Sequence, residues 1–110
     1  MLEPKFNADG LIPVIAQEAS TGEVLMLAWM NSETLAETIE TRRMVYWSRS
    51  RSERWAKGDT SGAIQEVVSA SFDCDADALL FQVIQHGTGA CHTGQKSCFH
   101  NPLDPLAVDS

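Results

Sequence analysis

The chain lacks most of the features that would take it out of the ordinary soluble class. Its 110 residues contain no apolar run near the roughly 18 that a membrane span needs. The first ten residues, "MLEPKFNADG", hold a proline and two acids where a signal peptide would be basic and then apolar. The expectation is a soluble, cytoplasmic protein. Positive charge is scarce: eight Lys and Arg against fifteen Asp and Glu leave a net charge of −7, which argues against a general nucleic-acid binder. Cysteines are few and odd in number, three in all, and none forms a C-x-x-C pair. A disulfide framework and the zinc-ribbon and zinc-finger patterns are therefore not expected. No internal repeat, low-complexity tract or linker divides the chain, so residues 1–110 read as one domain. A domain of this size buries a modest core, which association with a second copy would extend.

The composition that is present is that of a globular protein, 44% hydrophobic and 21% charged. "LIPVIAQ" (11–17) and "EVLMLAW" (23–29) are short apolar runs joined by a turn at Gly22, the pattern of a hairpin. Asn31 suits an N-cap with Glu33 in the first turn, and Leu35, Ala36 and Ile39 fall on one face of a short amphipathic helix. "RMVYWS" (43–48), "AIQEVVSASF" (63–72) and "ALLFQVIQ" (78–85) read as strands, with 49–62 mainly loop. From His86 onward glycine, small polar residues and then proline predict an irregular segment, including the tail at 101–110. The fold class expected is α+β, predominantly antiparallel β with one short helix.

Six of the eight basic residues fall between positions 42 and 57. Such concentration in an acidic chain reads either as a solvated loop that offsets nearby acids or as a local anion site, phosphate above all.

Cys74, Cys91 and Cys98 are separated by sixteen and six residues. Buried free thiols are the ordinary reading of such cysteines. The competing reading is metal ligation, since three protein ligands with a water make the shell of a catalytic zinc. The glycine-rich "GTGACHTGQKSC" is loop, where thiols can converge on an ion. His92, next to Cys91, is a candidate general acid/base because an unperturbed imidazole titrates near about 6.5. His86 or His100, as a fourth ligand, would turn the same site from catalytic to structural.

"DCDADALL" (73–80) opens like an EF-hand loop and then fails, with Ala78 where glycine is needed and Ile84 where glutamate is needed. If this segment continues the flanking strands, period two puts Asp73, Asp75 and Asp77 on one face and Cys74 on the other. Three carboxylates on one face repel one another as a bare surface but suit a hard cation such as Mg²⁺. The plain alternative is an acidic turn without a metal.

"YWSRSRSERWAKGDTSG" (46–62), "DCDADALLFQV" (73–83) and "GACHTGQKSCF" (89–99) together resemble phosphoribosyl-AMP cyclohydrolases, enzymes of histidine biosynthesis. "GLIPVIAQEASTGEVLMLAWMN" (10–31) looks like that family's N-terminal region, so only the C-terminal tail stands apart. The resemblance implies an intertwined homodimer with two active sites at its interface. It implies one Zn²⁺ per subunit, held by Cys91 and Cys98 of one chain and Cys74 of the other, and Mg²⁺ on Asp73, Asp75 and Asp77. Where family members often carry glutamate, this chain has Asp59.

The implied reaction is hydrolysis of the N1–C6 bond of the purine in phosphoribosyl-AMP, with zinc-activated water as nucleophile and His92 moving the proton. The product is the formimino-aminoimidazole carboxamide ribotide. A substrate with two phosphates would account for the basic segment: Arg49, Arg51 and Lys57 by charge, and Thr60, Ser61 and Gly62 by backbone N–H groups. Trp47 or Trp55 would stack on the purine. A nucleotide deaminase of the zinc class needs H-x-E and P-C-x-x-C, and neither occurs. The remaining alternative is a non-catalytic, zinc-stabilised module that binds phosphate or RNA.

Overall fold

The computed structural model describes residues 2–103. Six strands and one helix follow in the order β1 (Ile12–Glu18), β2 (Val24–Met30), α1 (Ser32–Thr41), β3 (Val45–Ser48), β4 (Glu53–Ala56), β5 (Gln65–Phe72) and β6 (Leu79–Gln85). Four strands make one sheet in the order β2-β1-β6-β5, and β3 and β4 make a second. Among the described residues only the β1–β6 pairing is parallel; the other three strand pairings are antiparallel. The α+β, mainly antiparallel expectation therefore holds.

β1 alternates buried and half-buried residues along its whole length, as a strand with one face on the core must. Pro13, which lacks an N–H, precedes the parallel register that starts at Val14↔Leu79, so it removes nothing from that ladder. In β2 the register with β1 slips between Ala16 and Gln17, passing over Leu25. The bulge turns two consecutive side chains, Leu25 and Met26, into the core. Ile12, Val14, Met30, Tyr46, Phe81 and Val83 complete the centre of that core. Burying six such side chains is the main stabilising term, at roughly 1.5–3 kcal/mol each.

Asn31 caps α1 through a reciprocal box: its Oδ1 accepts from Thr34 N–H at 2.8 Å, and its own N–H donates to Thr34 Oγ1 at 3.0 Å. The buried face differs from the apolar reading of the sequence. It consists of Thr34, Leu35 and Thr38, while Ala36 and Ile39 are exposed. Thr38 is tolerated inside because its hydroxyl donates to Thr34 C=O at 2.8 Å and accepts from Val45 N–H at 3.0 Å, tying α1 to β3. Ile39 instead joins Phe72 at an apolar groove of about 260 Å³ that also takes in Leu35, Leu79 and Phe81.

Two further expectations change. The segment 49–62 is not simply loop, because β4 lies within it and pairs with β3 from Val45↔Ala56 to Ser48↔Glu53. The strand-based geometry of "DCDAD" is also overturned. Residues 73–78 form the turn between β5 and β6, and Ala76 is left-handed at φ +62. Asp73 closes the turn by accepting from the N–H groups of Asp77 and Ala78 at 3.0 and 3.3 Å. Period two needs extended backbone and does not apply there. The segment from His86 to 103 is irregular, as expected, whereas 104–110 of the tail lie outside the described residues.

Candidate active site

β6 separates two clusters of chemistry. The acidic turn stands where β6 begins, and Cys91 lies six residues beyond its end at Gln85. At about 3.3 Å per residue, a strand of this length holds the two ends roughly 20 Å apart. The irregular segment after β6 crosses to the start of β2: Cys98 N–H donates to Leu25 C=O at 2.7 Å and Ser97 Oγ to Val24 C=O at 2.7 Å. β1 antiparallel to β2 and parallel to β6 puts the start of β2 at the same end of the sheet as the finish of β6.

At the acidic end, Asp73, Asp75 and Asp77 bring carboxylate oxygens within 4.8 Å of one another, the one such group among the described residues. The convergence expected from the sequence is present, produced by a turn rather than by strand alternation. Hydrogen bonds that the Asp77 carboxyl donates to Asp75 and Asp73, with desolvation and the charges of both, raise Asp77 to about 6. In Asp73 desolvation acts upward, but hydrogen bonds from Asp77 and from the Ala78 and Asp77 amides outweigh it and the pKa falls. An all-oxygen set converging in this way fits a hard divalent cation. Cys74 is exposed on the same turn.

At the other end, Cys91 and Cys98 are neighbours. Thr93 Oγ1 lies 3.0 Å from Cys91 Sγ, and His100 Nε2 lies at 3.6 Å. Hydrogen bonds from the Thr93 hydroxyl and amide, then from His100, bring the Cys91 thiol down to about 6. Desolvation and the charge on Cys91 push Cys98 the opposite way. Cys91 is thus the more acidic of the two thiols, and ligation to a metal would favour the deprotonated form of both. Two sulfur donors suit zinc chemically, and His100 stands beside Cys91 alone.

Beside the thiols opens a cleft of about 490 Å³. It gathers Arg51, Lys57, Thr60, Ser61, Cys91 and His92 from those expected at a site, with Trp55 on its wall. Gly58 makes the bend possible at φ +82, because a Cβ there would collide with the backbone of Ala63 and Ile64. Gly62 N–H donates to Gly58 C=O at 2.9 Å and closes the same loop without lining the cleft.

Three basic or aromatic candidates are used differently. Lys57 is buried, and its Nζ donates to Ala90 C=O at 2.7 Å and lies 5.4 Å from the Trp55 ring. Burial lowers its pKa, while the charges of Cys98 and Cys91 act upward. Arg49 rests over the Trp29 ring at 4.6 Å, outside the cleft lining. Trp47 sits on β3 opposite Arg54. His86 pairs with Glu66 at 2.6 Å, so of the two fourth-ligand candidates it is His100 that meets Cys91. Sequence reasoning missed Thr93, whose signal is a hydroxyl two residues after a loop cysteine. It also missed Arg54, which lines the cleft from β4.

A family model described as phosphoribosyl-AMP cyclohydrolase matches residues 26–100. The phosphoribosyl-AMP cyclohydrolase of Salinibacter ruber is 64% identical over 95 residues, covering 86% of this chain and 74% of that protein. That of Hyphomonas neptunium is 58% identical over 103 residues, covering 94% and 78%. A histidine biosynthesis bifunctional protein of Prochlorococcus marinus is 55% identical over 107 residues; 97% of this chain is covered, but only 48% of that relative. The chain thus spans about half of the bifunctional relative and about three quarters of the others.

Proposed function

The chain belongs to the phosphoribosyl-AMP cyclohydrolase family, and from that membership we propose that it hydrolyses the N1–C6 bond of the purine in phosphoribosyl-AMP, a step of histidine biosynthesis. The observation that carries this reading is the single cleft joining Arg51, Thr60 and Ser61 to Cys91 and His92. An anion-binding loop and a thiol-histidine pair face one space large enough for a nucleotide.

In this reading Arg51 and the Thr60–Ser61 loop hold phosphate, and Trp55 offers a face to the purine. Water adds to C6 while N1 leaves; His92, on the cleft wall, takes a proton from the water and returns it to N1. Cys91 and Cys98 hold zinc, which when bound brings the ionisation of a water toward about pH 7. The third thiol comes from Cys74 of a second copy, because the two ends of β6 keep the chain's own Cys74 away. The partly exposed apolar groove around Ile39 and Phe72, beside the Cys74 turn, supports a homodimer as the working unit. Asp73, Asp75 and Asp77 hold Mg²⁺.

The test is the absorbance change of ring opening on phosphoribosyl-AMP, with a chelator as control. Turnover that is lost on chelation and restored by zinc supports the proposal; no turnover by the zinc- and magnesium-loaded protein refutes it. A second reading has one observation in its favour. His100 within 3.6 Å of Cys91 could close the zinc shell and leave a phosphate- or RNA-binding module. X-ray absorption separates the two: three sulfurs and an oxygen support the enzyme, and four protein ligands support the module.

A further inference from the structure

Arg54 lines both the large cleft and a smaller one of about 140 Å³ against α1. Two of its nitrogens are engaged by one partner: Nε donates to Glu37 Oε1 at 2.6 Å, and Nη2 donates to Glu37 Oε2. This two-pronged contact fixes the plane of the guanidinium. Among the described residues no hydrogen bond engages Nη1. The carboxylate of Asp59 adds to the field around the group without bonding to it.

Three other cations are committed. Arg49 lies on the Trp29 ring, Lys57 on the Ala90 carbonyl, and Lys96 against Glu23 at 3.3 Å. Arg51 has a looser contact with Glu53 at 3.4 Å and stays half in solvent. The guanidiniums that line the large cleft are Arg51 and Arg54, the latter with its Nη1 not taken by Glu37. The substrate proposed above carries two phosphates, so one guanidinium is present for each.

We infer that Arg54 is a second phosphate-binding residue of the cleft, with Glu37 on α1 as the residue that positions it. The inference rests on the substrate reading above and adds which side chain meets the second phosphate. Its competitor is a purely structural ion pair that ties α1 to the β3–β4 hairpin. The two differ in what happens when each partner is removed alone. A structural pair makes the loss of either partner equivalent. A binding residue does not, because Glu37→Gln leaves the guanidinium in the cleft.

The experiment compares wild type, Arg54→Gln and Glu37→Gln in the metal-loaded protein. It measures KM and kcat for phosphoribosyl-AMP, binding of ribose 5-phosphate by tryptophan fluorescence, and the thermal midpoint. Arg54→Gln is expected to raise KM and weaken ribose 5-phosphate by about tenfold or more, with kcat within about twofold. Glu37→Gln is expected to lower the thermal midpoint as much as Arg54→Gln while weakening ligand by only about threefold. Equal ligand affinity in wild type and Arg54→Gln, or equal losses in both variants, overturns the inference. If wild type turns over no substrate, the cyclohydrolase reading fails, yet the ribose 5-phosphate comparison still decides the role of Arg54.

Discussion

The ammonium of Lys57 is bonded to the carbonyl of Ala90 across thirty-three positions of sequence. That bond ties the end of the β3–β4 hairpin to the residue preceding Cys91. Replacing Lys57 by Met leaves a buried carbonyl without a partner, and an unpaired buried acceptor costs about 1–3 kcal/mol. Urea unfolding of Lys57→Met should show that loss in the midpoint with an unchanged slope. A normal midpoint with a raised KM would instead make Lys57 a phosphate ligand.

Cys74 and Cys91 lie at opposite ends of one sheet, and this gives a test by mixing. Cys74→Ala and Cys91→Ala should each be inactive and each bind less zinc. When the two are unfolded together and refolded, random pairing gives heterodimers in which one of the two sites is intact. About a quarter of wild-type activity and zinc binding should return. Activity in either variant alone, or none in the mixture despite dimer formation, would contradict a shared site.

The acidic turn should respond to divalent cations by itself. Millimolar Mg²⁺ should raise the thermal midpoint of the wild-type protein, since a ligand that binds only the folded state stabilises it. Asp75→Asn should abolish most of that rise and leave the metal-free midpoint unchanged or higher, because one of three mutually repelling charges is gone. A Mg²⁺ response that survives the substitution would place the ion elsewhere.

Glu37 links the fold to pH. The bond from Arg54 holds its carboxyl below the ordinary glutamate value. A depressed folded pKa stabilises above the unfolded value, about 4.3, and the benefit is lost as pH falls through the folded value. Wild type should therefore exceed Glu37→Gln in thermal midpoint at pH 7, with the gap closing below about pH 4. Both side chains are substantially exposed, so solvent screens the pair, its contribution is small, and it weakens in about 1 M salt. A gap independent of pH and salt would mean that shape, not charge, links α1 to the hairpin.

The β1–β2 hairpin of the main sheet was legible because two short apolar runs flank a turn that carries Gly22. Asn31 was legible as a cap because its chemistry is local. β4 was not: "ERWA" offers two charges in four residues, and its pairing with β3 is settled by the hairpin around it. The buried face of α1 was misread because Thr34 and Thr38 are polar by composition yet satisfy their own hydroxyls. The carboxylate cluster was legible in its residues but not in its geometry, since nothing local announces that Ala76 adopts a left-handed turn. Within the cleft, Cys91, His92 and the Thr60–Ser61 loop follow from residue type. The engagement of Arg49 by Trp29, and of Arg54 by Glu37, joins distant elements and needs the fold.

The parallel register of β1 with β6 also governs how the chain is made. β1 is synthesised before β6, yet one of its two ladders needs Leu79–Val83. Until those residues leave the ribosome, the β1–β2 hairpin presents an apolar face and an open edge, the state most exposed to wrong pairing. Closure of so long a loop makes the β1–β6 contact a late, slow event. Substitutions at Val14 or Phe81, which cost the finished protein core packing, should therefore also lower the yield of correctly folded chain during synthesis.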